Sequence, residues 1–553
     1  MIDARPDTIP EWLTHWARAQ PDSTWLRDRT SDAFNEWTWQ QANEEVRAVA
    51  AALEAASDGA RQHCAILSRN RAHWVLADLA VIASGNVTVP MFTTQPADTA
   101  RYVLEFAEVT TLFLGEADNW EAVRSVVPDN VSIVTLPGVE IADPHLRWAD
   151  ICRQHAGGDR RREGRHDDLV SIVFTSGTTG DPKGVMHSHD SMLLPMHRCC
   201  GAFQTRENPR FLSYLPLSHI AERQAVLMQS LIHGGTITFN ESLPQLLRDI
   251  VEVQPTFFFG APRVWEQLQQ YVIDQFGSQQ ALDRALDEDE PNTSDRVRRM
   301  VGLTDADYLL TGAAPAYAPL IEWWQRMGLS LMDGYGQTEA MGLIGNTAKA
   351  HRVGSIGKVI EGVEVRIGDN EELVCRAPGL ALGYYRRPVE TAETFADGWI
   401  HTGDTVRVDA DGFFYITGRV KDYFKTIHGK YVSPVPIEGE LARCELIDQL
   451  CLLGRGYSKT VVVCVLTEAA RKLERGQVEH ALGAHANAVN ATIERHARIG
   501  AIIVASNAWT IANSMLTPTM KLRRQMVEKH FDGAAEALAR TAASEGKMLF
   551  HWE

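Results

Sequence analysis

The chain has 553 residues, which at roughly 100 to 200 residues per domain makes three to five structural units with ample core. Lys and Arg number 54 against 71 Asp and Glu, and the resulting formal charge of −17 repels polyanions, which excludes a general nucleic-acid binder. A hydrophobic share of 45% and a charged share of 23% are ordinary globular values and exclude a largely disordered, collagenous or membrane-embedded chain.

The first seven residues are polar and acidic, unlike the basic start and apolar run of a secretory signal. The most apolar stretch, 75–92, is interrupted by Asp78, Asn86 and Pro90 and falls short of the roughly 20 apolar residues that a membrane span needs. Eight scattered cysteines with no C-x-x-C pair read as buried thiols in a reducing compartment. The expected location is therefore cytoplasmic, with attachment to a membrane surface left open. Apolar runs at 170–174, 256–259, 308–310 and 329–332 read as strands, and 243–253 reads as a helix with Leu246, Leu247 and Ile250 on one face. Strand alternating with helix predicts an α/β protein whose sheets are mostly parallel. The charge runs 157–168 and 283–299 read as solvated linkers or helix ends. From Ala410 the chain changes to Asp-Gly turns between short β-rich runs, at 412–417 and 459–466. This change divides it into a large α/β domain, 1–418, and a small α+β domain, 419–553.

The sharpest motif is Val173-Phe-Thr-Ser-Gly-Thr-Thr-Gly-Asp-Pro-Lys-Gly-Val185. Gly177, Gly180 and Gly184 let the backbone turn its N–H groups toward an anion. Thr175, Ser176, Thr178 and Thr179 add hydroxyls, and Lys183 adds a charge. This is a phosphate-wrapping loop, but not the common P-loop, where Ser or Thr follows the lysine at once. Further along stand Leu215-Pro-Leu-Ser-His-Ile-Ala-Glu-Arg223, Gly312-Ala-Ala-Pro315, Asp333-Gly-Tyr-Gly-Gln-Thr-Glu339, Trp399-Ile-His-Thr-Gly-Asp404, Gly418-Arg-Val-Lys-Asp422 and Leu516-Thr-Pro-Thr-Met-Lys-Leu522. Asp333-Gly-Tyr-Gly follows an apolar run, where ligands meet the ends of parallel strands. His187 and His189 show no metal-ligand pattern and read as structural.

In type, order and spacing these motifs resemble the adenylate-forming superfamily over nearly the whole chain. The resemblance implies that residues 175–184 cradle the phosphates of ATP. It puts Gly312, Ala313, Ala314 and Pro315 on the adenine face, with Asp333, Gly334, Tyr335, Gly336 and Gln337 beside them and Tyr335 against the base. Thr338 then meets the α-phosphate, and Glu339 holds Mg²⁺, for which a carboxylate oxygen is a suitable ligand. Asp404 and Arg419 would contact the ribose, a task suited to a carboxylate with two oxygens. His219 would stand beside the incoming carboxylate, and Lys521 would reach both carboxylate and α-phosphate. Lys421 would be the hinge of a swivelling C-terminal domain, and Lys425 would serve the second half-reaction.

Three stretches, around Leu215, around Gln337 and from Lys421 to Pro434, are similar to long-chain fatty acyl-CoA synthetases. They imply activation of a fatty acid to acyl-AMP and transfer to coenzyme A. Phe257, Phe258, Phe259, Val264, Trp265, Met341, Leu343 and Ile344 are candidates to line the acyl tunnel, and Ala261 stands where many relatives carry Val. Two alternatives stay open here. One is loading of a carrier-protein thiol, and the other is a catalytically silent nucleotide- or acyl-binding protein. Nothing in the sequence specifies an oligomer.

Overall fold

The computed structural model describes residues 6–29, 33–57, 59–158, 164–175, 182–203, 205–314, 316–517 and 521–553. Among the predicted site residues, Ser176, Gly177, Thr178, Thr179, Gly180 and Pro315 lie outside the described residues.

Strands His63–Leu67 and Val87–Met91 are buried along nearly their whole length, as strands covered on both faces must be. They form the middle of an eight-stranded sheet ordered Gly383–Tyr384, Lys183–Ser188, Leu169–Thr175, Val87–Met91, His63–Leu67, Val109–Leu114, Ser132–Thr135 and Leu146–Arg147. The pairs from Leu169–Thr175 onward are parallel, and the two at the Gly383–Tyr384 edge are antiparallel. Helix Ala72–Ala83 is buried almost all round against this sheet. The apolar stretch 75–92 is thus a core helix leading into a core strand, and among the described residues no helix is long and apolar enough to cross a membrane.

A second sheet positions the site. Phe257–Gly260, Tyr308–Thr311 and Leu331–Gln337 run parallel, and Ala340–Gly345 and Lys358–Val359 continue it antiparallel. Strands within 364–376 and 395–419 then form a separate, wholly antiparallel sheet, where the pairing departs from the parallel arrangement at the centre of the first two. The connections explain why. Antiparallel neighbours need only short turns, as between Gln337 and Ala340, whereas parallel neighbours need a crossover.

The C-terminal part is α+β. Ile447–Leu453 pairs antiparallel with Thr460–Leu466, which continues in parallel to Ile499–Val504 and Leu549–Trp552. Its two buried clusters draw only on residues from Phe424 onward. Across to the larger part, Arg263 donates to Asp448 through both terminal nitrogens, at 2.5 and 3.0 Å.

The charge run 283–299 departs from expectation, because it lies within helix Gln279–Met300, which is irregular at Asp289, two residues before Pro291. Leu282, Leu286, Thr293, Ser294 and Val297 supply a buried stripe beneath the charges, and that stripe holds the segment helical. Of the eight cysteines, five are buried and Cys152, Cys200 and Cys444 are half-buried, and among the described residues none forms a disulfide.

Candidate active site

A pocket opens where the three parallel strands of the second sheet end. Its wall holds Gly312, Ala313, Gly334, Tyr335, Gly336, Gln337 and Thr338, together with His219 and Lys521. Local geometry requires small residues here. A Cβ added at Gly312 would stand 3.0 Å from the Gly334 carbonyl, so any larger residue would push the two strand ends apart by a few tenths of an ångström. Ala313 adopts φ 64°, a left-handed conformation that costs an L-residue about 1 to 2 kcal/mol and so marks a loop held in place by its surroundings. Ala314 is half-buried beside it. Asp333 is buried, with its carboxyl pushed well above the usual range by desolvation, and it lies behind the pocket wall.

Asp404 is the polar node beside this wall. Its Oδ2 accepts from the Tyr335 hydroxyl at 2.6 Å and from Gln337 Nε2 at 2.6 Å, and its Oδ1 accepts from Arg419 Nε at 2.9 Å. The Asp404 carboxylate raises the affinity of Arg419 for its proton, and burial together with that same carboxylate raises the Tyr335 hydroxyl far above its ordinary range. An ionised carboxylate has about four acceptor positions, so three donors leave roughly one for a ligand hydroxyl unless a side chain swings aside.

Lys521 enters from the C-terminal part. Burial and the Arg419 charge push its ammonium down to about 8 from the usual 10.5, against the pull of Asp404 and Glu339. His219 is pushed down to about 3, by burial first and by Lys521 second, so its ring is neutral at physiological pH. Its Nδ1 accepts from the Ala221 backbone N–H at 3.2 Å, which places the ring proton on Nε2. Glu339 is half-buried, and its Oε1 accepts from the Tyr384 hydroxyl at 2.7 Å. Lys183 Nζ lies 4.8 Å from the centroid of the Tyr384 ring, so Tyr384 stands between Lys183 and Glu339. Sequence reading missed Tyr384, for which the only signal was its place in Gly383-Tyr-Tyr385. Thr175 ends the strand opposite Lys183, and its hydroxyl donates to the Lys183 carbonyl at 3.4 Å.

Among the described residues no three metal-ligating side chains cluster. A divalent cation carried on phosphate oxygens needs only one protein carboxylate, and Glu339 Oε2 is a candidate to supply it.

Lys421 and Lys425 lie away from both the pocket wall and the contacts around Asp404 and Glu339. Lys421 is exposed in the turn after strand Phe414–Arg419. Lys425 is exposed on the short strand Phe424–Lys425, its Nζ 4.7 Å from the Tyr431 ring centroid. Of the apolar candidates, Phe257, Phe259, Met341 and Ile344 line the pocket, while Phe258, Val264, Trp265 and Leu343 are packed in the core. Ala261 caps the N-terminus of helix Pro262–Phe276 behind it. His187 and His189 are buried and structural: His187 Nδ1 meets the Ser191 hydroxyl at 3.1 Å, and His189 Nδ1 accepts from the Ile9 backbone at 3.1 Å.

Fold and pocket together are those of an adenylate-forming enzyme. Residues 13–385 match the model of the AMP-binding enzymes, residues 421–542 match the AMP-binding enzyme C-terminal domain, and the chain belongs to the AMP-binding enzyme family. It is 27% identical to the long-chain-fatty-acid–CoA ligase FadD15 of Mycobacterium bovis, over 96% of this chain and 97% of that one. It is 26% identical to human long-chain-fatty-acid–CoA ligase 1, over 97% and 87%. Among solved structures, the anthranilate CoA ligase AuaEII in complex with anthranoyl-AMP superposes with a TM-score of 0.79 at 21% identity, covering 96% of this chain and 98% of that one. The A-PCP didomain of the carboxylic acid reductase from Segniliparus rugosus gives 0.80 at 20% identity, covering 98% and 84%. At such identities these two share the fold.

Proposed function

We propose that the protein is an AMP-forming acid–thiol ligase that activates a long-chain fatty acid and passes the acyl group to coenzyme A. The observation that carries this reading is the convergence of Lys521 with His219 and Thr338 in the wall of one largely apolar pocket, with Glu339 near enough to act on the Lys521 charge. Lys521 and the neutral His219 Nε2–H orient the carboxylate, whose oxygen attacks the α-phosphorus of ATP while pyrophosphate leaves. Charge on the transferring group is met by Lys521, Thr338 and Lys183, so that catalysis is mostly positioning and electrostatics. A Mg²⁺ at Glu339 would neutralise phosphate charge. Tyr335, Asp404 and Arg419 hold the nucleoside.

In the second half-reaction the thiol loses its proton, its sulfur bonds to the acyl carbon, and AMP departs. On this reading residues 1–418 form the nucleotide and acyl domain, and residues 419–553 swivel about Lys421 to withdraw Lys521 and to present Lys425. Support for a long aliphatic acid comes from Phe257, Phe259, Leu310, Met341, Ile344 and Ile360 in the pocket wall, and from relatives named as long-chain-fatty-acid–CoA ligases. Each buried CH₂ contributes about 0.8 kcal/mol, so kcat/KM should rise several-fold per methylene until the bay is full.

The test is pyrophosphate release over a panel of carboxylic acids, with and without coenzyme A. Acyl-CoA formation peaking at long chains is expected. A profile peaking at acetate, benzoate or an amino acid overturns the chain-length assignment, and acyl-adenylate that persists in the presence of coenzyme A points to a carrier-protein thiol. An absence of pyrophosphate with every acid means a silent binding protein.

A further inference from the structure

The inner wall of the pocket is one helical stretch with an unusual turn. After helix Ile220–Glu222 the chain forms a π-helix over Arg223–Met228 and then helix Gln229–His233. The wider i→i+5 turn brings residues four apart nearer to one face, and Ala221, Ala225 and Gln229 all line the pocket. The stretch is held by Arg223, which is wholly buried and donates to both oxygens of the equally buried Asp78 at 2.7 Å and to the Ser171 hydroxyl at 2.7 Å. Two alanines leave space along this wall, and an amide stands at its far end.

Gln229 is 0% exposed, and its amide is poorly served. Among the described residues its side-chain partners are sulfur atoms: Nε2 donates to Met196 Sδ at 3.6 Å, and Oε1 faces Cys200 Sγ at 3.9 Å. Sulfur is a weak donor and acceptor. Cys200 has a single proton and two nearer partners, the Met196 carbonyl at 3.0 Å and His233 Nε2 at 3.0 Å. Met196, Cys199, Ala225, Phe257 and Met341, which line the same pocket, are apolar or weakly polar. A plain alkyl tail here would bury the amide with its hydrogen-bonding capacity unused, which is unfavourable.

Resting on the reading of the site as an acyl-activating pocket, we propose that Gln229 recognises a hydrogen-bonding oxygen on the acyl chain, so that the preferred substrate is a long acid bearing a hydroxyl or keto group in its distal half. Gln229 lies eight residues beyond Ala221, roughly 10 to 12 Å along the helix. An extended chain advances roughly 1.2 Å per bond, which puts the oxygen on the order of eight to ten bonds from the end of the pocket near His219.

The experiment uses the full chain with ATP and coenzyme A and compares a saturated long-chain acid with its monohydroxy isomers, the hydroxyl moved one carbon at a time. The wild type should show kcat/KM about tenfold or more higher for one distal isomer than for the plain acid. The near-isosteric Gln229→Met should abolish or invert that ratio. Both substrates are measured on one preparation, so the ratio does not depend on how much of the variant folds, and if the variant fails altogether the wild-type series decides. A wild type that prefers the plain acid over every isomer overturns the proposal while leaving acid activation intact. So does a Gln229→Met that lowers both substrates equally. Pyrophosphate release with none of the acids would overturn the reading of the site, and this inference with it.

Discussion

Lys521 and Lys425 belong to the same C-terminal part and carry the same side chain, yet their surroundings have little in common. Lys521 stands in the pocket wall with His219, and burial and Arg419 push its ammonium down to about 8. Lys425 is exposed and leans on Tyr431, in a hairpin whose Ile427 and Tyr431 are 66% and 60% exposed. One placement of the C-terminal part brings only one of these lysines to the pocket. Under the proposed mechanism this placement serves adenylate formation, and the exposed hairpin waits for the other.

The strongest way to break the comparison is to remove each amine in turn. Lys521→Ala should slow adenylate formation about a hundredfold or more, on the order of 3 kcal/mol, and should affect thioester formation from supplied acyl-adenylate far less. Lys425→Ala should leave adenylate formation within about twofold, as expected of an exposed side chain outside the pocket wall. Pyrophosphate release and single-turnover transfer, assayed separately, check both. Equal losses in the two half-reactions for Lys521→Ala would falsify the division of labour.

Protonation sharpens the contrast. The ammonium form of Lys521 exists below about pH 8 in the free enzyme, so kcat/KM for ATP should fall as pH rises through about 8, approaching tenfold per unit above it. Lys521→Arg keeps its charge throughout and should remove that limb. A wild-type profile flat to well above pH 8 would show that the ammonium is not the group required. His219, neutral above about pH 3, contributes no limb in this range.

A smaller effect is expected at the pivot. Among the described residues the Lys421 N–H makes no backbone hydrogen bond, so Lys421→Pro fixes φ at little cost to the present arrangement. Adenylate formation should survive, while transfer to the thiol slows several-fold to about tenfold, read by rapid-quench measurement of each step. Normal overall turnover would place the pivot elsewhere.

Motifs whose chemistry is local were legible in the sequence. Gly312 and Gly336 stand where close approach of neighbouring backbone favours a residue without a side chain, and Asp404 and Arg419 face one another in adjacent strands, five residues before and six residues after a tight turn at 409–413. The apolar run at 257–259, three successive phenylalanines, carried no sign of which of them face a pocket. Period-two geometry separates Phe257 and Phe259 from Phe258, but only the neighbouring strand and helices turn the first two into the pocket and the third into the core. The charged run 283–299 misled because its buried stripe is sparse, and burial of that stripe by neighbouring elements outweighs its polar look.

Amino-acid order by itself determined the family and the alternation of strand and helix, and it offered a set of candidate groups for a nucleotide, since each depends on residue types at short spacing. Tertiary structure alone decided the links that span long separations: Tyr384 between Lys183 and Glu339, Arg223 on Asp78, and Lys521 carried back to His219. Gln229 shows the reason most plainly. In the sequence it is one more polar residue in a helix, the usual mark of a solvated face. Only the packing of helix His189–Phe203 against it strips away water and leaves its amide in a bay of apolar and sulfur-bearing side chains, where a hydrogen bond is scarce enough to select a substrate.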